Sequence, residues 1–295
     1  LPLHSVRAKQ PSALPLRFAR AEQPAALPLR FARAEQPAVP LTFCGGTAAG
    51  RSAPTFCEDR AAGNSAFTFC GGNDLIAQIL KKEGVEWLAC FPSNPLIEAV
   101  AKQGIRPISF RHERGAVMAA DGFSRTSDRK RFGVVAIQSQ AGAENALGGV
   151  AQAYADNIPI LILPGGVGLS ELAVRPNYSV TNNYQGVVKR VEAIYRPDQV
   201  IAVMRRAFSA LRNGTPGPVA VELIADVCET TATENISQYI PPRMVKQQPD
   251  SSDIKAAVQI FLGARRPMLW AGAGVLFAGA MSELKNLAAL TATPV

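Results

Sequence analysis

From Asn73 onward, short apolar runs alternate with segments whose apolar positions recur at helical spacing. Few architectures accept that alternation. The runs Trp87–Phe91, Ile108–Phe110, Phe132–Gln138, Ile158–Leu163 and Val219–Ile224 predict strands. Between them, helices are predicted over Leu75–Glu83, Leu96–Gln103, Gly115–Phe123, Glu144–Tyr154 and Asp198–Leu211. Asp74 is positioned to N-cap the first, and Gly84 and Gly104 to stop the first two. The last has apolar residues at 200, 201, 203, 204, 207, 208 and 211, a clear amphipathic face. Strands that are apolar throughout, separated by helices, predict an α/β fold: a parallel sheet with helices on both faces.

The first 72 residues follow a different rule. Leu1–Ala13, Leu14–Ala26 and Leu27–Val39 are tandem copies of a 13-residue unit, and the period continues to Gln78 with Thr-Phe-Cys at 42–44, 55–57 and 68–70. Proline at the second and eleventh positions of the early copies breaks any sustained helix. Three readings stay open: an Arg-rich, acid-poor leader directing the chain to an organelle, a cysteine array for metal, or a translated tandem repeat without folded structure. The last is preferred, and with it a cytoplasmic location. Leu1 in place of an initiator Met also suggests a fragment.

Residues 1–72 hold eight Lys/Arg against four Asp/Glu, and the rest of the chain 23 against 19. Half of the net charge of +8 therefore sits in the repeats, and the remainder carries no basic stripe interleaved with aromatics. Nucleic acid is not expected as a partner. No apolar run approaches the ~20 residues of a spanning helix, so no membrane association is expected either. The five Cys lack CxxC pairing and only His4 and His112 are present, which argues against a structural metal site.

Pro241, Pro242 and Pro249 among polar residues mark 233–252 as an interdomain linker. A second α/β unit then opens with a helix over Ile254–Leu262, a strand over Met268–Ala271, a Gly272-Ala273-Gly274 turn and a helix over Ala280–Leu290. The 43 residues of 253–295 are too few for such a domain, so it is read as truncated.

The chemistry-bearing stretch is Arg111–Arg125, Arg-His-Glu-Arg-Gly-Ala-Val-Met-Ala-Ala-Asp-Gly-Phe-Ser-Arg. Glu113 follows a strand read as buried and precedes a helix whose Gly115, Ala116, Ala119, Ala120 and Gly122 permit close approach. Open α/β sheets bind ligands at the carboxyl ends of their strands. A carboxyl shielded from water there can share or donate a proton near neutrality. The bland alternative is a surface Glu complementing a helix dipole.

His112-Glu113-x-x-Ala116-x-x-x-Ala120-x-Gly122-x-x-Arg125 resembles the signature of thiamine-diphosphate-dependent enzymes of the acetolactate synthase group. Gly84-Val85 before Phe91-Pro92, Ala153-Tyr154 before Ile158-Pro159, Pro216-Gly217-Pro218-Val219, Arg266-Pro267 and Gly272-x-Gly274 agree in order and spacing. The resemblance implies a pyrimidine-binding domain over 73–232, followed by the start of a Rossmann-like middle domain at 253–295. It implies that Glu113 hydrogen-bonds N1′ of the cofactor's aminopyrimidine and favours the imino tautomer that activates the cofactor toward a 2-oxo acid. Pro92, Gly142, Asn145 and Gln185 are implied as cofactor-binding positions, and His112 as a support of the turn. Two departures stand out: Gln140 and Ala141 replace the Gly and Pro of the family's Gly-Pro-Gly-x-x-Asn loop, and Pro92-Ser93-Asn94-Pro95 replaces its glycine-rich turn.

The family's Gly-Asp-Gly…Asn motif, which holds the diphosphate through Mg²⁺, has no counterpart in this sequence. Mg²⁺ is thus expected through a domain outside it, with no metal ligand assigned here. FAD is allowed by the resemblance but matched by no residue. A 2-oxo acid substrate and a homodimer or homotetramer complete the expectation. The rival reading is a non-catalytic, truncated or degenerate paralogue keeping only the fold.

Overall fold

The computed structural model describes residues 71–232, 234–245 and 247–295, so the 13-residue repeats and the cysteine array at 44, 57 and 70 lie outside the described residues. The order is α1 (Gly72–Lys82), β1 (Trp87–Cys90), α2 (Leu96–Lys102), β2 (Arg106–Ser109), α3 (Glu113–Thr126), β3 (Gly133–Ile137), α4 (Ala141–Ala155) and β4 (Ile160–Pro164). There follow α5 (Val180–Asn183), β5 (Arg190–Ile194), α6 (Val200–Arg212), β6 (Val219–Leu223), α7 (Ala225–Glu229), α8 (Ser251–Gly263), α9 (Gly274–Ala278) and α10 (Met281–Thr291).

The six strands form one parallel sheet in the order β2-β1-β3-β4-β6-β5. Alternate residues feed two cores. Leu88, Val134, Ala136, Leu161 and Leu163 join the core that contains α1, α2 and α6, whereas Ala89, Val135, Ile137, Ile160 and Ile162 join that of α3 and α4. Burial on both faces explains why β3, β4 and β6 show no polar alternation apart from Glu222. The chain leaves β1 for β2 and returns to β3 on its other side, which opens a topological switch point between β1 and β3.

Three local expectations are corrected. Asp74 is not the N-cap: α1 starts three residues earlier than expected, behind Gly71, and Asp74 Oδ2 accepts from the Gly71 amide at 3.3 Å. The strand before Glu113 is not buried, because β2 is an exposed edge. The Arg106 and Phe110 amides donate inward to the Glu86 and Cys90 carbonyls, so the alternation turns Pro107 outward, where a missing N–H costs nothing. Met268–Ala271 forms no strand: among the described residues it has no pairing neighbour beyond one bond from the Leu269 amide to the Pro294 carbonyl, and Trp270 is 90% exposed.

The contact of α3 with the sheet is unusually close. A Cβ on Gly133 would lie 2.1 Å from the Ala120 carbonyl oxygen, so β3 passes against the α3 backbone itself. Buried Ser124 locks this crossing: its hydroxyl accepts from the Gly133 amide at 2.8 Å and donates to the Pro159 carbonyl at 2.7 Å. Ala116 and Ala120 are thus packing residues, whereas Gly122 has nothing within 4 Å of a would-be Cβ.

Residues 234–245, within the stretch read as a linker, run along α6 in its own direction. Glu234 accepts from the Ile201 amide, the Gln238 and Pro242 carbonyls accept from Arg205 and Arg212, and Asn213 holds the Arg243 carbonyl and the Val245 amide. Beneath this strap, the buried Glu83 carboxylate accepts from Arg212 and from the Tyr239 hydroxyl.

Candidate functional site

The carboxyl ends of β1 and β3 and the amino ends of α3 and α4 converge at the switch point. Buried Asn94, just beyond β1, organises it: Nδ2 donates to the Ile137 and Leu163 carbonyls, both at 3.1 Å, while Oδ1 accepts from the Leu96 amide at 3.0 Å. One side chain thereby ties the ends of β3 and β4 to the start of α2.

His112 has extended backbone and N-caps α3, its Nδ1 accepting from the Arg114 amide at 3.2 Å. Glu113 is therefore the first helical residue, and the cap and the Gly133 crossing set its position. It is 4% exposed. Asn145 Nδ2 donates to its Oε2 at 3.4 Å, and a Cβ on Gly142 would lie 3.0 Å from its Oε1. Residues 32 positions apart are brought together by the packing of α3 on α4. Any side chain at 142 would crowd the carboxyl.

Of the five positions singled out, the structure brings Glu113, Gly142 and Asn145 together. Pro92 lies in an exposed turn after β1 and Gln185 is exposed beyond α5, and neither joins that cluster among the described contacts. The neighbouring Tyr184 is fully buried, and its hydroxyl donates to the Ala143 carbonyl at 2.6 Å, bracing the first turn of α4. Burial pushes its phenol up, keeping it protonated as a donor.

Sequence reasoning passes over Asn94, whose bonds to the Ile137 and Leu163 carbonyls are tertiary, and over Glu222. The latter is buried in β6, and its only local signal is a lone acid in an apolar strand. Burial pushes its carboxyl up to about 7, against the pull of the Val180 and Thr181 amides. The folded chain thus keeps a proton that the unfolded chain releases, and stability falls as pH rises from about 4.5 to about 7. The shift corresponds to about 3 kcal/mol, present as a penalty above pH 7. Glu222→Gln is expected to match the parent near pH 4.5 and to exceed its urea-unfolding free energy by about 2–3 kcal/mol at pH 8. An advantage independent of pH would refute the assignment.

Among the described residues, no group of three His, Cys, Asp or Glu side chains is placed to hold a metal ion, and no helix is long and apolar enough to cross a membrane.

Residues 71–192 match the family model described as thiamine pyrophosphate enzyme, N-terminal TPP binding domain. Curated relatives agree. The probable acetolactate synthase large subunit of Methanocaldococcus jannaschii is 31% identical over 236 residues, 76% of this chain and 39% of that protein. The acetolactate synthase isozyme 3 large subunit of Escherichia coli K12 is 28% identical over 237 residues, again 76% of this chain and 40% of that protein. The acetolactate synthase large subunit of Buchnera aphidicola from Schizaphis graminum is 27% identical over 238 residues, 76% of this chain and 41% of that protein. The chain spans about two fifths of the length of these relatives.

Proposed function

The chain belongs to the thiamine pyrophosphate enzyme family, acetolactate-synthase-like, and from that premise we propose that it supplies the pyrimidine-binding half of a cofactor site acting on 2-oxo acids. The observation that carries the proposal is the buried Glu113 carboxyl held between Asn145 and the bare backbone of Gly142. A carboxyl so placed fits a ring nitrogen: it can accept or give one proton along a fixed direction, and Asn145 fixes its rotation. The residues present fit this end of thiamine diphosphate, whose thiazolium carbon supplies the carbon–carbon chemistry when it is bound.

The part of each residue follows from its place. Glu113 holds or moves the proton at the aminopyrimidine; Gly142 keeps room beside it; Asn145 orients it; His112 and Ser124 hold the helix that carries it. Pro92 and Gln185 join the cofactor-binding set through the family resemblance alone. The diphosphate and its Mg²⁺ are assigned to a different domain, and FAD to no residue of this chain. Residues 73–232 form the pyrimidine-binding domain in this reading, with 253–295 the beginning of the middle domain and a like subunit the partner.

A second reading, a fold retained without catalysis, draws support from Gln140, whose φ of 54° and ψ of −114° occupy a corner where the family resemblance expects glycine. The two separate on one experiment with the enzyme that carries this domain. Glu113→Gln is expected to lower 2-oxo acid turnover by about a hundredfold or more while leaving the thermal midpoint unchanged. Turnover equal to the parent would defeat the role of Glu113, and a parent without turnover would favour the second reading.

A further inference from the structure

Gln140 stands directly before α4, at the second position of a turn closed by the Gly142 amide on the Ser139 carbonyl at 3.1 Å. Its φ of 54° and ψ of −114° describe the first central corner of a type II′ turn, a conformation that favours glycine. A non-glycine residue persists in such a corner when its surroundings over-determine it. They do so here through both ends of the side-chain amide. Nε2 donates to Asn177 Oδ1 at 2.6 Å, and Oε1 accepts from the Tyr178 amide at 2.9 Å. Asn177 in turn donates to the Leu172 carbonyl at 2.9 Å, so the segment 172–178 is closed on itself and clipped to the start of α4.

That start is the part of α4 that touches Glu113. Two residues on, Gly142 abuts Glu113 Oε1, and one turn further Asn145 reaches Oε2. Tyr184 braces the same turn through the Ala143 carbonyl.

We propose that Gln140 is a positioning residue: its amide spans from the 172–178 segment to the strained turn, and so holds Gly142 and Asn145 at their separation from Glu113. The inference rests on the reading of Glu113 as the working carboxyl for its functional meaning, but the geometry it asserts is independent of any cofactor. The strain is then a cost retained for a tether that glycine cannot make, since glycine relaxes the corner and offers no side chain. Among the described contacts, the Gln140 side chain bonds to Asn177 and the Tyr178 amide and not to the Glu113 carboxyl. It acts through the backbone of 140–145.

The test uses two variants of the full chain with complementary backbone effects. Gln140→Gly removes tether and strain together; Asn177→Ala removes half of the tether and leaves the corner as it is. Two readouts are followed by NMR on nitrogen-labelled protein: hydrogen exchange of the Tyr178 amide, and the side-chain amide resonance of Asn145. Both variants are expected to speed Tyr178 exchange about tenfold or more and to displace the Asn145 resonance, although neither substitution touches Asn145. A merely stabilising clip would change Tyr178 exchange and leave the Asn145 signal in place, and that outcome overturns the proposal, as does parental behaviour of both signals. Failure of the cofactor reading would show instead in the Glu113→Gln turnover and would leave these two signals as expected.

Discussion

Gly133→Ala is expected to abolish folding of the sheet domain. The added Cβ would sit 2.1 Å from the Ala120 carbonyl oxygen, 2.5 Å from its carbonyl carbon and 2.6 Å from its Cα. All three are backbone atoms of α3, so no side chain can swing away to make room. Relief requires the helix to lift from β3, which pulls the Ser124 hydroxyl off the Gly133 amide and the Pro159 carbonyl. It also draws Glu113 away from Asn145 at the other end of the same helix. Overpacking plus a broken buried hydrogen-bond pair should cost about 4 kcal/mol or more, a large share of the ~5–15 kcal/mol of a domain. Circular dichroism and urea titration check it, with Gly122→Ala as the control. Beyond its own helix backbone, a Cβ on Gly122 would meet nothing within 4 Å among the described residues, and that helical glycine should gain about 0.5–1 kcal/mol on becoming alanine. A Gly133→Ala protein melting within about 5 °C of the parent would show that α3 and β3 are not so closely apposed.

Arg212→Ala is expected to be the second most damaging change, for an electrostatic reason. The Glu83 side chain is wholly excluded from solvent and Arg212 largely so, at 0% and 19% exposure. Glu83 is also the acceptor for the buried Tyr239 hydroxyl, and Arg212 reaches on to the Pro242 carbonyl. Truncating the arginine leaves a carboxylate without its cation in a dry site, and such breaks cost about 3–5 kcal/mol. The pair as a whole should be worth much less than either half implies. Arg212→Met combined with Glu83→Leu is therefore expected to lose less than Arg212→Ala alone, because no stranded charge remains. Urea unfolding of the two variants tests this. If the double variant is the weaker, the stabilisation comes from the pair itself and not from avoiding a stranded charge.

How far the sequence reveals the fold depends on burial. β3, β4 and β6 are apolar because both faces are covered, and their runs predict them well. β5 escapes notice because it is an edge: Arg190 and Glu192 alternate with Val191 and Ala193, and Glu192 is occupied by ion pairs to Arg190 and Arg206. The period-two pattern is there, but five residues with two charges read as loop. Met268–Ala271 errs the other way, since apolar content marks what would be buried in a sheet but cannot supply the neighbouring strand. Asp74 is misplaced by three positions because an acid suits both the N-cap and the third residue of a helix.

The site is legible to a lesser degree. The motif around Glu113 singles out that carboxyl, and the glycine and asparagine at 142 and 145 can be matched to it through resemblance. Nothing local announces that they meet, because that follows from how α3 and α4 cross the sheet. Asn94, Tyr184 and Glu222 belong to the same class: each acts on backbone groups tens of residues away. Gln140 is the most instructive. In the sequence it is only a lost glycine, whereas the structure gives the replacement two partners.

The antiparallel bridge of Gly71 to Thr231, with the Gly72 amide on the Thr230 carbonyl at 3.1 Å, sets the point where the polypeptide enters the sheet domain beside the point where it leaves. Adjacent ends make the unit a cassette. It can be spliced into a larger protein, or cut and rejoined elsewhere on its surface, without stretching any strand.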